Sequence, residues 1–160
     1  MIEFAFDQAD EQRARERDIR RSAMDALARR EHSRVQLARK LHGKFSEYDL
    51  VEQSLEKLVQ DGLLSDERFT EAYVNYRQRA GFGPVKIRGE LRERGVDESL
   101  SQRFIDVDAA CWLELAELAR CKRFGSGAPG TSRERQRQEQ FLKYRGFSHE
   151  HIRHSFDTSE

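Results

Sequence analysis

The 160-residue chain is predicted to be all-α, an elongated tandem array of three three-helix repeats. Three observations predict it. Apolar residues recur at helical spacing, with no convincing alternating strand. The charge sign alternates along the chain, and the formal net charge of zero conceals this: −3 over residues 1–18, +6 over 19–45, −6 over 46–71, +4 over 72–96, −5 over 97–118, +6 over 119–145 and −2 over 146–160. That period of about fifty residues lies in the range of repeated supersecondary units. The apolar landmarks share the period. Leu41, Leu91 and Leu142 lie 50 and 51 apart, each followed three residues on by a cation (Lys44, Arg94, Arg145) and then by an apolar anchor (Phe45, Val96, Phe147). A charged fraction of 36 % beside a hydrophobic fraction of 37 % suits amphipathic helices that each bury a single stripe.

The elements follow in order. Residues 1–17 read as an N-terminal polar tail. Repeat 1, 18–64, opens with a helix marked by Ile19, Ala23 and Leu27. Ser33 with Gln36 has the capping-box pattern and opens a helix carrying Leu37 and Leu41; Ser46 with Asp49 looks like a second box, opening a helix with Val51, Leu55, Leu58 and Val59 that Asp61-Gly62 stops. Repeat 2, 65–107, has an apolar stripe of Phe69, Ala72, Tyr73, Tyr76 and Ala80, a Gly81-Phe82-Gly83 loop, and Pro84 placed for the first turn of the next helix. Repeat 3, 108–160, starts around Trp112, Leu115, Ala116 and Ala119. Its flexible insertion is 125–132, GSGAPGTS. Gly95 and Gly146 stand where a helix ends in a left-handed residue.

Several function classes are expected to be absent. No apolar run approaches the roughly 20 residues that span a bilayer. The N-terminus has no basic n-region and no apolar h-region, so it does not read as a secretory signal. Cys111 and Cys121, ten apart, are expected on one side of a helix as small buried residues in a reducing cytoplasm. No nucleophile elbow or Walker loop is present, and Asp106 and Asp108 read as helix-end charges, so no catalytic residue and no cofactor is expected. His149, His151 and His154 miss the zinc-protease spacing by one residue, because Arg153 stands where the second histidine belongs; no metal is expected.

The basic blocks are the functional lead. Arg34, Arg39, Lys40 and Lys44 form one. Arg77 and Arg79 precede a second, Lys86, Arg88, Arg92 and Arg94, in which Arg88 and Arg92 lie one turn apart beside an inward Ile87 and Leu91. Lys143 and Arg145 close a third that includes Arg133, Arg135 and Arg137. Any single block could be a solvated face paired with acidic neighbours, and Lys44, Arg94 and Arg145 also suit helix C-termini. Three blocks in series favour binding, since a solenoid would align them. Tyr73, Tyr76 and Trp112 could stack on bases, but their helical spacing favours core packing.

The run Gly62-Leu63-Leu64-Ser65-Asp66-Glu67-Arg68-Phe69, continued by Ala72-Tyr73-Val74, resembles the RecX signature. So do Gly83-Pro84, Ile87, Glu90-Leu91 and Arg94-Gly95-Val96. The match spans about residues 35–105, with several separated elements in register. The resemblance implies a tandem array of three-helix units. It also implies a small, monomeric cytoplasmic regulator in DNA recombination and the SOS response, which binds the RecA nucleoprotein filament and usually restrains its ATPase, strand exchange and co-protease activities. The implied partners are RecA and single- or double-stranded DNA in the filament, with no membrane. A stand-alone helical nucleic-acid-binding module using the same basic faces, and a helical scaffold, are the alternatives.

Overall fold

The computed structural model describes residues 2–157, with side chains from Gln8 onward. Among these residues there are nine helices and no strand: α1 Ile2–Arg29, α2 Arg34–His42, α3 Tyr48–Gln60, α4 Asp66–Arg79, α5 Pro84–Glu93, α6 Glu98–Phe104, α7 Cys111–Phe124, α8 Ser132–Arg145 and α9 His149–Asp157. The all-α fold expected from the periodicity is present. The chain divides into two compact units, Met1–Phe69 and Thr70–Glu160.

In the first unit, α1, α2 and α3 bury Ile19, Ala23, Ala26, Leu37, Leu41, Val51, Leu55, Leu58 and Leu64 in one cluster. The Ser33–Gln36 capping box forms, satisfying two amides that the start of α2 would otherwise leave without partners. The second box does not. Ser46 Oγ donates to Glu47 Oε2 instead, and Glu47, the N-cap residue of α3, makes no side-chain cap. Gly62, with φ of +70°, turns the chain so that the amides of Leu63 and Leu64 both donate to the Leu58 carbonyl, and Leu64 enters the core. Ser65 Oγ accepts from the Arg68 amide at the start of α4, while Asp66 Oδ1 accepts from the Arg34 amide at 2.7 Å and so caps α2. The signature run from Gly62 to Phe69 is therefore a folding device: a left-handed stop, a buried leucine, two caps and a buried phenylalanine.

The segment 1–17, expected as a polar tail, continues α1 from Ile2. Its Ala, Glu, Gln and Arg residues favour helix without an apolar stripe, which is why periodicity alone started the helix near residue 18. An Arg15–Glu47 contact of 2.6 Å ties it to the start of α3.

In the second unit, α5 buries Ile87 and Leu91, α7 buries Trp112 and Ala116, α8 buries Leu142, and α9 buries Ile152 and Phe156. Leu41, Leu91 and Leu142, the landmarks of the repeat, are all fully buried. The expected stripe of α4 is rotated. Phe69, Thr70 and Val74 are buried and Tyr73 is half-buried, but Ala72 and Ala80 are exposed and Tyr76 is 63 % exposed. Arg77, not Tyr76, takes the inward position. Cys111 is exposed and Cys121 half-buried, contrary to the expectation for both; ten residues of α-helix leave two side chains about 80° apart.

Pro84 stands at N1 of α5 as expected. There α5 meets the end of α8. The Gly83 amide donates to the Arg145 carbonyl at 2.8 Å, and the Val85 amide donates to the Gly146 carbonyl at 3.1 Å. The first amides of one helix thus satisfy the last carbonyls of another. The approach demands glycine on both sides. A Cβ on Gly83 would lie 2.4 Å from the Gly146 backbone, and one on Gly146 would lie 2.2 Å from Lys86 Cβ.

The segment read as a flexible insertion is held at two points. Arg120, fully buried, donates from Nη1 to the Gly127 carbonyl at 3.2 Å, and the Gly130 amide donates to Glu134 Oε2 at 2.8 Å. Thr131 then caps α8 by accepting from the Glu134 amide.

Candidate interaction surface

The fold draws several of the basic residues singled out by sequence into internal contacts and leaves others exposed. Arg77 is the clearest internal case. Its guanidinium meets the Glu90 carboxylate twice, Nε to Oε2 at 2.8 Å and Nη2 to Oε1 at 2.5 Å, with both side chains only 16–17 % exposed. The Tyr73 hydroxyl donates to the same carboxylate at 2.8 Å. Burial, reinforced by that hydrogen bond, pushes the Tyr73 hydroxyl up to about 12. Arg94 Nη1 donates to the Glu90 carbonyl at 2.9 Å, and its guanidinium lies 4.7 Å from the Tyr73 ring centre. Around Phe82 three cations gather: Arg77 at 3.5 Å, Arg145 at 4.6 Å and Lys86 at 5.2 Å from the ring centre. Arg145 Nη1 also donates to the Ala80 carbonyl at 2.9 Å, at the end of α4, while Lys86 sits 4.2 Å from the Tyr144 ring centre. Arg88 pairs with Glu98, and that hydrogen bond is the main reason the Glu98 carboxyl lies below its ordinary range.

In the first unit, Arg34 pairs with Glu52 at 3.1 Å, and His42 Nε2 meets the other oxygen of that carboxylate at 2.8 Å while stacking on Tyr48 with ring centres 4.5 Å apart. The His42 hydrogen bond, followed by Arg34, holds the Glu52 carboxyl below the usual range against the opposing effect of its partial burial. Lys44 Nζ donates to Ser22 Oγ at 3.2 Å. Arg39 and Lys40 are exposed on α2.

Arg79, Arg92 and Lys143 also face solvent. Arg79 is brought into a cleft of about 420 Å³ between the end of α4, α7 and the end of α8. Arg145, Lys122 and Arg123 line it as well, over a floor that includes Leu115, Leu118 and Phe141. No carboxylate lines the cleft among the described residues. Lys122 and Arg123 were missed by sequence. They lie in the last turn of α7, inside the +6 block and just before Gly125, where an end-of-helix dipole account absorbs them.

Trp112 and His151 resolve into packing, whereas Tyr76, expected in the core, is 63 % exposed. Trp112 is buried and its indole N–H donates to the Asp106 carbonyl at 2.7 Å. His151 is buried between two backbone partners: Nδ1 accepts from the Ser148 amide at 3.2 Å, and Nε2 lies 3.0 Å from the Val107 carbonyl, which makes Nε2 the protonated nitrogen. Among the described residues no group of three His, Cys, Asp or Glu side chains is placed to hold a metal ion, and no helix is long and apolar enough to cross a membrane.

Residues 65–103 match the family description "RecX, second three-helix domain", and residues 113–155 match "RecX, third three-helix domain". The likeness thus reaches well past the signature near 35–105 and spans the glycine-rich segment of the last unit. A protein of Pseudomonas syringae pv. tomato named Regulatory protein RecX is 44 % identical over 129 residues, covering 81 % of this chain and 83 % of that protein. One of the same name from Pseudomonas fluorescens is 43 % identical over 140 residues, covering 84 % and 86 %. The crystal structure of RecX from Lactobacillus salivarius superposes with a TM-score of 0.76 at 18 % identity, over 89 % of this chain and 95 % of that one. A second structure, of regulatory protein RecX, gives 0.75 at 23 %, over 94 % and 75 %. At those identities the superpositions speak to fold alone.

Proposed function

The chain belongs to the RecX family of regulatory proteins, and from that premise we propose that it binds the RecA nucleoprotein filament and restrains its ATPase, strand-exchange and co-protease activities. The observation that carries this reading is the 44 % identity to a protein named Regulatory protein RecX across 81 % of the chain. In this reading the protein is a monomeric, non-enzymatic regulator of the cytoplasm. It is built of repeats 18–64, 65–107 and 108–160, and meets DNA phosphate and recombinase at once. The solvent-facing cations are the proposed contacts: Arg39, Lys40, Arg79, Arg92 and Lys143, joined by Lys122 and Arg123. Arg34, Lys44, Arg77, Lys86, Arg88, Arg94 and Arg145 also make the internal contacts described above, so their contribution to binding would be the smaller.

The test is RecA's DNA-dependent ATPase with this protein titrated in. Inhibition is expected at well below one copy per recombinase monomer, and no change at stoichiometric excess overturns the reading. A second reading, a stand-alone nucleic-acid-binding module, is favoured by the carboxylate-free group of cations around Arg79. Salt-dependent anisotropy of labelled single-stranded DNA, bare and recombinase-coated, separates the two, because a phosphate-only site gives the same salt slope in both.

A further inference from the structure

We infer that the cleft between α4, α7 and α8 is a docking site for an acidic segment of a partner protein, one that presents an apolar side chain between its carboxylates. The inference goes beyond the recombinase reading, and its test needs no recombinase.

Charge comes first. Arg79, Lys122, Arg123 and Arg145 line one concave surface, and no carboxylate lines it among the described residues. Each lies in the last turn of its helix, α4, α7 or α8. A helix C-terminus carries about half a negative charge, so three of them offset roughly one and a half of the four positive charges. Arg145 is engaged directly with one of those ends through the Ala80 carbonyl. Arg79, Lys122 and Arg123 are exposed, and none forms an ion pair with a described carboxylate. The surplus is positive and turned to solvent.

The dipole account also leaves the floor unexplained. Leu118 is 64 % exposed in the middle of α7, one turn before Lys122 and in the same cleft lining as Arg79, Arg123 and Arg145, where a solvated face would carry a polar residue. The floor decides between two anionic partners. Nucleic acid binds such grooves by stacking bases on aromatic faces. Here Phe141 is the aromatic residue of the cleft; it is half-buried, meets Phe124 edge-on with ring centres 5.3 Å apart, and lies beneath Arg145 at 5.1 Å. The accessible floor is aliphatic, the surface that takes a leucine or phenylalanine side chain from an amphipathic peptide.

The experiment is fluorescence anisotropy on the full chain. The probes are a labelled amphipathic peptide of Glu, Ala and Leu, its Gln-for-Glu counterpart, and labelled oligo(dT). The wild type should bind the acidic peptide, and its glutamine counterpart much more weakly. Arg79→Gln with Arg123→Gln should weaken acidic-peptide binding about three- to tenfold, as expected for two surface ion pairs. Leu118→Ser should weaken it roughly tenfold by removing apolar contact, and should leave oligo(dT) binding unchanged. All three side chains are exposed, and unchanged far-UV circular dichroism verifies that the fold is intact. The proposal is overturned if wild type does not bind the peptide. It is overturned if Leu118→Ser binds the peptide like wild type, which would leave only non-specific charge, or if oligo(dT) displaces the peptide and Leu118→Ser weakens both. Self-association of the wild type that Leu118→Ser abolishes would put a second copy in the cleft and overturn it too.

Discussion

Glu90 is the residue on which the middle of the chain turns. One carboxylate receives Arg77 twice and Tyr73 once, in a place where all three are partly or largely withdrawn from water. Replacing Glu90 with Ala would leave a nearly buried guanidinium without its counter-charge. Such changes cost about 3 kcal/mol, and urea denaturation should read a loss of that order. Tyr73 makes a separate, pH-dependent statement. Its folded pKa, about 12, lies above the ordinary phenol value of 10.0. The stabilisation linked to its proton is therefore fully present below pH 10 and disappears as pH rises toward 12. The difference in stability between wild type and Tyr73→Phe should be constant at neutral pH and shrink across that alkaline window. A constant difference throughout would show that the hydroxyl does not titrate as described. At this scale the sequence was a partial guide. Arg77 and Arg94 carried the same signal as Arg79 and Arg92, because a string of residues says which side chains are charged, not that Arg77 finds a carboxylate thirteen positions away or that Arg94 turns back to a backbone carbonyl of its own helix.

Helix junctions were more legible, where a local rule governs them. Ser33 with Gln36, Pro84 at N1 and the left-handed Gly95 and Gly146 all stand where residue type and spacing put them. The failures have physical causes. Ser46 lost its box to Glu47, a neighbouring acceptor for its hydroxyl. The stripe of α4 was placed too far round because Tyr76 looks like core and Arg77 does not, yet an arginine can bury its stem and reach a carboxylate with its head. Arg120, fully buried in α7, escaped for the same reason. Gly83 carries the sharpest test at this level. Gly62→Ala meets nothing within 4 Å and suffers only the left-handed backbone, about 1 kcal/mol. Gly83→Ala drives a methyl into the Gly146 backbone at 2.4 Å, so it should lose roughly 3 kcal/mol or more and separate α5 from α8. Equal losses for the two variants would mean that the junction yields easily.

At the level of the whole chain, reversing charge on α5 needs Arg92 alone. Arg88 pairs directly with Glu98, so Arg88→Glu would set two carboxylates together and confound binding with stability. Arg92 acts on Glu98 only through its charge and ranks behind Arg88 there, so its reversal disturbs that carboxylate less. Arg92→Glu should weaken binding to the DNA-bound filament without changing helicity, and should lower the salt slope by about one unit if that face touches phosphate. Deleting residues from Ala110 onward should do more than remove a basic block. It takes away Trp112, Leu142, Phe147, Ile152 and Phe156, which supply much of the buried apolar surface of the second unit. The cluster from Ile19 to Leu64 needs none of them. The expected result is a truncated chain whose first unit melts cooperatively while α5 and α6 are largely lost. Full retention of helicity in α5 and α6, residue by residue in NMR shifts, would show that those helices stand without the last three.

The amides of Gly83 and Val85, bonded to carbonyls at the far end of α8, also act as a clock. Both lie at the first turn of a helix, where amides ordinarily exchange with solvent quickly because no carbonyl within their own helix accepts from them. Here their deuterium uptake waits for the end of α8 to lift away. Two sites in the middle of the chain thus time an opening at the end of α8, about sixty residues further on. A bound partner that clamps the end of α8 would slow that clock, and one that prises it loose would quicken it, so a mass measurement on a single peptide covering residues 82–86 distinguishes the two modes of engagement.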